Sequence, residues 1–357
     1  MRYVLFIFFI LVILLVSDVP LTTATKPYAY GNPSTRITTR DQSLTDPESL
    51  PLTILFAGDV MLARRTETLM DKYGGDFPYR RLPFLQELAD NVVINFEAAV
   101  PIHHLHTPDL TFRFSVDQEY LGSLSQIGVT HAGLANNHAY DTGLGGYTET
   151  RQSLMAAGIT PFGASDVSSS SVTILKYANT SVALVAMNLI DEMLPEDALI
   201  KVLEVASSTD YQIAFVHWGT EYRFTHNASQ AAAAKLLVAL GFDAIIGHHP
   251  HVVQDIDIID EVPVFYSLGN FIFDQYFNKA VQEGLLVQLS ATLEGLTFTL
   301  LPVTSNDART QPRLLLDNER IDYLQRIAQL SALSIQESVA AGVITIPRVG
   351  CNSCEIN

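Results

Sequence analysis

Two cysteines in 357 residues are too few for a disulfide scaffold or a four-thiolate zinc site. Both sit near the end of the chain, Cys351 and Cys354 in a C-x-x-C, where a small local disulfide is the simplest reading and an interchain bond or a redox role are the alternatives. Positive charge is scarce as well. Lys and Arg total 21 against 38 Asp and Glu, a formal net charge of −17, so the electrostatic footprint of a nucleic-acid-binding protein is missing. No G-x-G-x-x-G or G-x-x-x-x-G-K-[ST] follows a strand-like run, which excludes the common nucleotide loops. No internal repeat is visible. Long apolar runs are also absent: Val4 to Val16 gives about 13 residues, short of the roughly 20 that span a bilayer. With Arg2 before it and Thr22-Thr23-Ala24 after it, residues 1–25 read as a signal peptide or an N-terminal membrane anchor, and the chain is expected to be exported.

What is present is a core. Hydrophobic residues make up 48% and charged residues only 17%, enough for a large buried interior. Residues 26–50, rich in Thr, Ser and Pro, read as a solvated linker. The folded domain is expected over 51–305, followed by a C-terminal helical segment and tail over 306–357, with 313–342 helical and peripheral.

One event recurs along the domain: a short apolar, often β-branched run followed at once by polar residues. "LTILFAGDVM" leads to Asp59, "NVVINFEAAV" to Glu97, and "GVTHAGLANNHAYD" to Asn136, Asn137, His138 and Asp141. "YQIAFVHWGTEY" leads to His217 and Glu221, "FDAIIGHHPHVVQ" to His248, His249 and His251, and "VPVFYSLGNFIFD" to Asn270 and Asp274. Such runs are typical of strands buried on both faces. Helix-like segments lie between them ("QEYLGSLSQIG", "GGYTETRQSLMAAG", "NASQAAAAKLLVALG"), and a hairpin is predicted around Glu294-Gly295. The alternation predicts a layered α/β fold. In such folds ligands bind beyond the carboxyl ends of the strands, where every polar cluster falls.

Asp59, Glu97, Asn137, His138, His217, His249 and His251 therefore converge on one rim. Carboxylate, imidazole and amide oxygen are the ligand types of Zn, Mn or Fe at a hydrolytic centre. Seven donors exceed what one tetrahedral ion accepts, so two divalent ions bridged by Asp59 or Glu97 are expected. Each residue alone has a plainer reading: a satisfied interior histidine for His217, a turn or helix cap for Asp59, a turn for Asn136 and Asn137. The "HHPH" segment is harder to explain by packing, because burying three imidazoles is costly. Asp141 or Glu221 could orient a ligand histidine. Arg64 could steer an acidic substrate, and Asn136, Glu221 and Asn270 fall on the substrate side. His103, His104 and His106, in "PIHHLHTPD", read as a surface loop.

The ordered segments "FAGDVML", "NFEA", "LANNHAYDTG", "VHWGTEY", "GHHPHVVQ" and "YSLGNFIFD" resemble the CapA-type poly-gamma-glutamate capsule-synthesis family, a branch of the calcineurin-like metallophosphatase superfamily. The resemblance implies a four-layer fold in one large domain, two β-sheets packed as a sandwich and flanked by helices. It also implies that Asp59 is the first metal aspartate, Glu97 the bridging acid, Asn137 the amide ligand, and His217, His249 and His251 the metal histidines. His138 would protonate a leaving group. Two departures stand out: Met61 replaces the histidine that usually follows the first aspartate by two positions, and His248 replaces a small residue. The implied activity is hydrolysis or transfer at an amide or phosphate-type bond of a glutamyl or other cell-envelope polymer. The rival is a noncatalytic subunit of a membrane synthase complex, with a general phosphoesterase as a second enzymatic alternative.

Overall fold

In the computed structural model of the chain, residues 50–348 are described except 83, 109–111, 165–168 and 191–195. Residues 1–25, read as a signal peptide or membrane anchor, residues 26–49 of the expected linker, and Cys351 and Cys354 lie outside the described residues. The described residues belong to one compact unit.

The first half runs β1 (Leu52–Val60), α1 (Arg65–Tyr73), β2 (Asn91–Phe96), α2 (Leu121–Gln126), β3 (His131–Gly133), α3 (Gly143–Ala156), β4 (Thr160–Phe162), β5 (Val172–Tyr177) and β6 (Thr180–Asn188). Then come α4 (Glu196–Ala206), β7 (Tyr211–His217), α5 (Ala228–Ala239), β8 (Ala244–His248), β9 (Ile256–Ile259), β10 (Val262–Phe265) and β11 (Asn270–Ile272). The chain closes with β12 (Glu283–Thr292), β13 (Gly295–Thr304), β14 (Arg313–Leu314), α6 (Asp317–Leu330), α7 (Gln336–Ala341) and β15 (Val343–Pro347).

Among the described residues these strands form two sheets. One has the order β14-β13-β12-β1-β2-β3-β4, with β11 on β1 and β15 on β13; the other has the order β5-β6-β7-β8-β10-β9. Period-two alternation assigns each side chain to a layer. In β1, Ile54 and Phe56 face the inter-sheet core while Leu55 and Ala57 face the helices; in β7, Ile213 and Phe215 face inward and Ala214 and Val216 outward. Met70 of α1, Leu124 of α2 and Leu154 of α3 cover the first sheet. Leu199 and Val202 of α4 with Ala234 and Leu237 of α5 cover the second. The result is the expected four-layer sandwich. Each fully buried Phe or Leu in these layers contributes roughly 1.5–3 kcal/mol.

The three helices read from the sequence form. α5 starts with a capping box, in which Asn227 Oδ1 accepts from the Gln230 amide at 2.9 Å and Gln230 Oε1 accepts from the Asn227 amide at 3.0 Å, satisfying two otherwise orphaned N–H groups. The hairpin is β12–β13, paired from Glu283↔Thr304 to Thr292↔Gly295.

Two expectations need correction. The C-terminal segment is not peripheral: Tyr323, Leu324 and Ile327 of α6 enter the inter-sheet core, and β15 adds a strand antiparallel to β13. The sheet thus continues well past residue 305. "VPVFYSLGNFIFD" is also not one strand. It splits into β10, parallel to β8 in the second sheet, and β11, parallel to β1 in the first. No described helix is long and apolar enough to cross a membrane.

Strands β1, β2 and β3 run parallel, as do β6, β7, β8 and β10, so their carboxyl ends open at the same edge of each sheet.

Candidate metal centre

Asp59 occupies the carboxyl end of β1, paired in register with Asn95 of β2 on one side and Asn270 of β11 on the other. The fit requires Gly58, because a Cβ there would stand 1.9 Å from the Gly269 carbonyl oxygen. The Asp59 amide donates to that carbonyl at 2.9 Å. Glu97 follows β2, its amide bonded to Val60 O at 2.8 Å, which sets the two carboxylates side by side.

From the second sheet come the imidazoles. His217 ends β7. His249 and His251 follow β8 on either side of Pro250 with φ of 97° and 57°; positive φ costs a non-glycine residue free energy and concentrates at functional sites. The segment after β7 is pulled back over them, with the Tyr222 amide donating to Pro250 O at 2.8 Å and Gln254 Nε2 donating to Arg223 O and Thr225 O at 3.0 and 3.1 Å. Glu221 is thereby delivered to the two histidines.

Two groups of donors result. In one, atoms of Asp59, Glu97 and His217 all lie within 4.8 Å of one another; in the other, atoms of Glu221, His249 and His251 do. Asp59 touches both. Its Oδ1 accepts from Asn95 Nδ2 at 2.8 Å, and its Oδ2 lies 3.1 Å from His251 Nδ1 and 3.4 Å from the His249 amide nitrogen. Asn137 Oδ1 reaches His217 Nε2 at 2.9 Å.

The donors are in a form that suits a divalent cation. Burial would raise the Asp59 pKa, but the hydrogen bond and charge of His251, with the fields of His248 and His217, outweigh it and hold Asp59 below the usual carboxylate range. Burial, then the charge of Asp59, pushes Glu97 well above it. Burial, then His249, drives His217 well down, and burial, then His251, lowers His249 to about 4. Both imidazoles are neutral at pH 7 with lone pairs available, the form that metals bind. Glu97 Oε2 and His249 Nδ1 are buried without a hydrogen-bond partner. Orphaned buried atoms of this kind are rare unless something binds them, and a divalent cation fits.

Beside the donors, His138 Nδ1 lies 2.9 Å from Asp141 Oδ2, and the ring stacks on Phe114 with centroids 4.1 Å apart. Arg64 is ion-paired with Asp274, and its guanidinium covers the other neighbour in the stack, Phe114, at 4.5 Å.

Several expected roles change. Asn270, read as substrate-facing, is buried; its Oδ1 lies 3.0 Å from His251 Nδ1, and its Nδ2 donates to Gln275 and Val281 O. It orients the His251 ring. Asn136 Nδ2 donates to Phe96 O at 2.9 Å and its Oδ1 accepts from the His138 amide at 3.0 Å, so it holds the loop. Glu221 belongs with the donors. His248, the additional imidazole, faces away, with Nε2 3.2 Å from Ala57 O and its ring against Phe215. Met61 is fully buried and supplies no donor.

One residue was missed. Asn95 Nδ2 donates to Asp59 and Glu97 at 2.8 and 2.9 Å and lies 3.1 Å from His217 Nδ1, while its Oδ1 accepts from Asn136 at 3.2 Å. It ties both carboxylates to the loop that carries His138. The available signal was a polar residue at the end of an otherwise apolar strand.

Residues 53–275 match the sequence model of a family described as bacterial capsule synthesis protein PGA_cap. The chain is 29% identical over 301 residues to the capsule biosynthesis protein CapA of Bacillus anthracis, covering 77% of this chain and 72% of that one. It is also 29% identical over 281 residues to the PGA biosynthesis protein CapA of Bacillus subtilis, covering 73% of each. Among solved structures, a phosphatase from Mycoplasma pneumoniae aligns with a TM-score of 0.43 and 12% identity over 75% of this chain and 93% of its own.

Proposed function

The chain belongs to the bacterial capsule synthesis family PGA_cap, and from that membership and its donor groups we propose an exported, metal-dependent hydrolase or transferase-like enzyme that acts on a glutamyl polymer of the cell envelope. One observation carries the reading: four buried donors, Glu97, His217, His249 and His251, and the exposed Glu221 gather around buried Asp59, at the strand ends where this architecture binds ligands.

In the proposed centre Asp59, Glu97, His217 and Asn137 would hold one divalent ion, and Glu221, His249 and His251 would hold a second. When bound, such ions supply Lewis acidity and make water acidic near neutrality. The remaining work falls to the chain. Asp141 engages His138 Nδ1, and Nε2, which lies 3.2 Å from the Asn137 amide nitrogen, is the end that would carry a proton to the departing group. Phe114 packs on the His138 ring and excludes water from that face. Arg64, one ring further out, stacks on Phe114 with its charge already paired to Asp274, so it braces the His138–Phe114 stack.

The test uses the full chain loaded with Mn, Zn or Fe. His138→Ala should keep its metal while turnover of poly-gamma-glutamate or a model phosphoester falls about 10²–10⁴-fold. If the unaltered chain turns over neither substrate with any of these metals, and His138→Ala restores polymer production in a deletion strain, the protein is instead a noncatalytic accessory of the synthase.

A further inference from the structure

Gln275 leaves the first sheet just beyond β11, and Tyr222 lies on the loop that follows β7 of the second. The two meet beside His251: Gln275 Nε2 donates to Tyr222 Oη at 3.1 Å, and the Tyr222 ring stands 6.3 Å from the His251 ring. Tyr222 is held at φ 63°. Left-handed backbone at a bulky residue is a genuine outlier, kept only where the surroundings over-determine it. Here the amide is tied to Pro250 O at 2.8 Å and the hydroxyl to Gln275.

The polarity of the contacts around Gln275 is fixed by one group that can only accept. Val281 O takes a hydrogen bond from Asn270 Nδ2 at 2.9 Å, so Asn270 must turn its Oδ1 toward His251 Nδ1, 3.0 Å away. Asp59 Oδ2, also an acceptor, lies 3.1 Å from the same nitrogen. In the neutral ring the proton therefore sits on Nδ1, and Nε2 keeps the lone pair. Asn270 Nδ2 also donates to Gln275 Oε1 at 3.0 Å, which leaves Gln275 Nε2 as the donor to Tyr222. The phenol oxygen is occupied as an acceptor, so its own proton is free for a carboxylate. Burial, then the charge of Glu221 and a hydrogen bond with it, raises the Tyr222 pKa and keeps that proton in place at neutral pH.

We propose that Gln275 and Tyr222 are positioning residues for the second donor group, forming a continuous relay from Glu221 through Tyr222, Gln275 and Asn270 to His251. The inference rests on the metal-binding reading of Glu221, His249 and His251. Glu221 is the one exposed donor of the three, and an exposed glutamate has side-chain freedom to lose when it ligates a cation. A partner that already holds it lowers that cost. The relay also ties the loop after β7 to the first sheet, so two donors of the group are set by one chain of hydrogen bonds while His249 stands outside it.

The full chain, stripped with a chelator, is titrated with Co²⁺ and followed by visible absorption. The unaltered chain should take up two ions. The ion that His249→Ala removes should bind about 10–100-fold more weakly in Gln275→Met, while the other keeps its affinity. Tyr222→Phe, which keeps the ring against Phe277 and removes only the hydroxyl, should weaken the same ion. The double substitution should cost no more than the larger single one, because both cut one chain. A merely structural role does not give this selectivity, since general loosening weakens both ions; urea unfolding of the metal-free chains checks the fold. Equal Co²⁺ affinity in Gln275→Met and the unaltered chain, equal losses at both ions, or losses that add in the double variant overturn the relay. No Co²⁺ uptake by the unaltered chain overturns the metal reading as well, so the two failures are distinct. Neither result depends on turnover.

Discussion

His248, His249 and His251 differ from His103, His104 and His106 less in sequence than in what lies beneath them. The first three leave the carboxyl end of a central strand, where neighbouring strands deliver Asp59 and Glu97 from the facing sheet. The other three lie in a loop against one helix, with His103 and His106 exposed and only His104 tucked in. A row of imidazoles therefore signals a metal centre when the fold supplies converging carboxylates. Even within the first group, alternation divides the work, since His248 points into the core while the next two turn toward Asp59.

That contrast can be broken at several points. The largest effect is expected from His249→Ala with His251→Ala: the centre should lose its metal and turnover should fall more than about 10³-fold, since losing a mere ligand-orienting partner already costs 10–100-fold. Elemental analysis with steady-state assay measures both. His248→Ala should do the opposite, keeping metal while losing about 2–4 kcal/mol of stability in urea unfolding, because it empties a packed site against Phe215.

A smaller effect tests a histidine outside both groups. His226 Nδ1 lies 2.7 Å from Asp255 Oδ2, a hydrogen bond that raises its pKa above the ordinary value against the lowering effect of burial. A raised histidine pKa adds stability that is complete below about pH 6.5 and fades as pH climbs through the folded-state value. From pH 6 to 8 the unaltered chain should lose up to about 1 kcal/mol more than His226→Gln, a bound set by its partial exposure. The smallest effect is expected at exposed His103, whose replacement by Ala should change stability by less than about 0.5 kcal/mol. A larger loss would show that the loop is more than a covering.

Much of this was legible in the chain. Asp59, Glu97, His217, His249 and His251 follow apolar runs, and a strand buried on both faces announces itself by such a run. What escaped depends on contacts far apart in sequence. The break between β10 and β11 lies inside a nearly continuous apolar stretch, and the turn is made by Gly269 at φ 66°. Asn95 looked like a strand residue because its partners are 36 and 122 positions away. Asn136 and Asn270 are read from the sequence as facing the substrate, because residue type alone does not show where an amide points.

The carboxylates Asp59 and Glu97 come from one sheet, and His217, Glu221, His249 and His251 from the other. A cation seated among them is therefore a rivet through both plates of the sandwich, available only while the plates face each other. Ligand that binds the native state alone lifts stability by mass action, about 2.7 kcal/mol at a hundred times its dissociation constant. The melting point of this protein should thus follow the free-ion concentration of its surroundings, and chelation should loosen the two halves together.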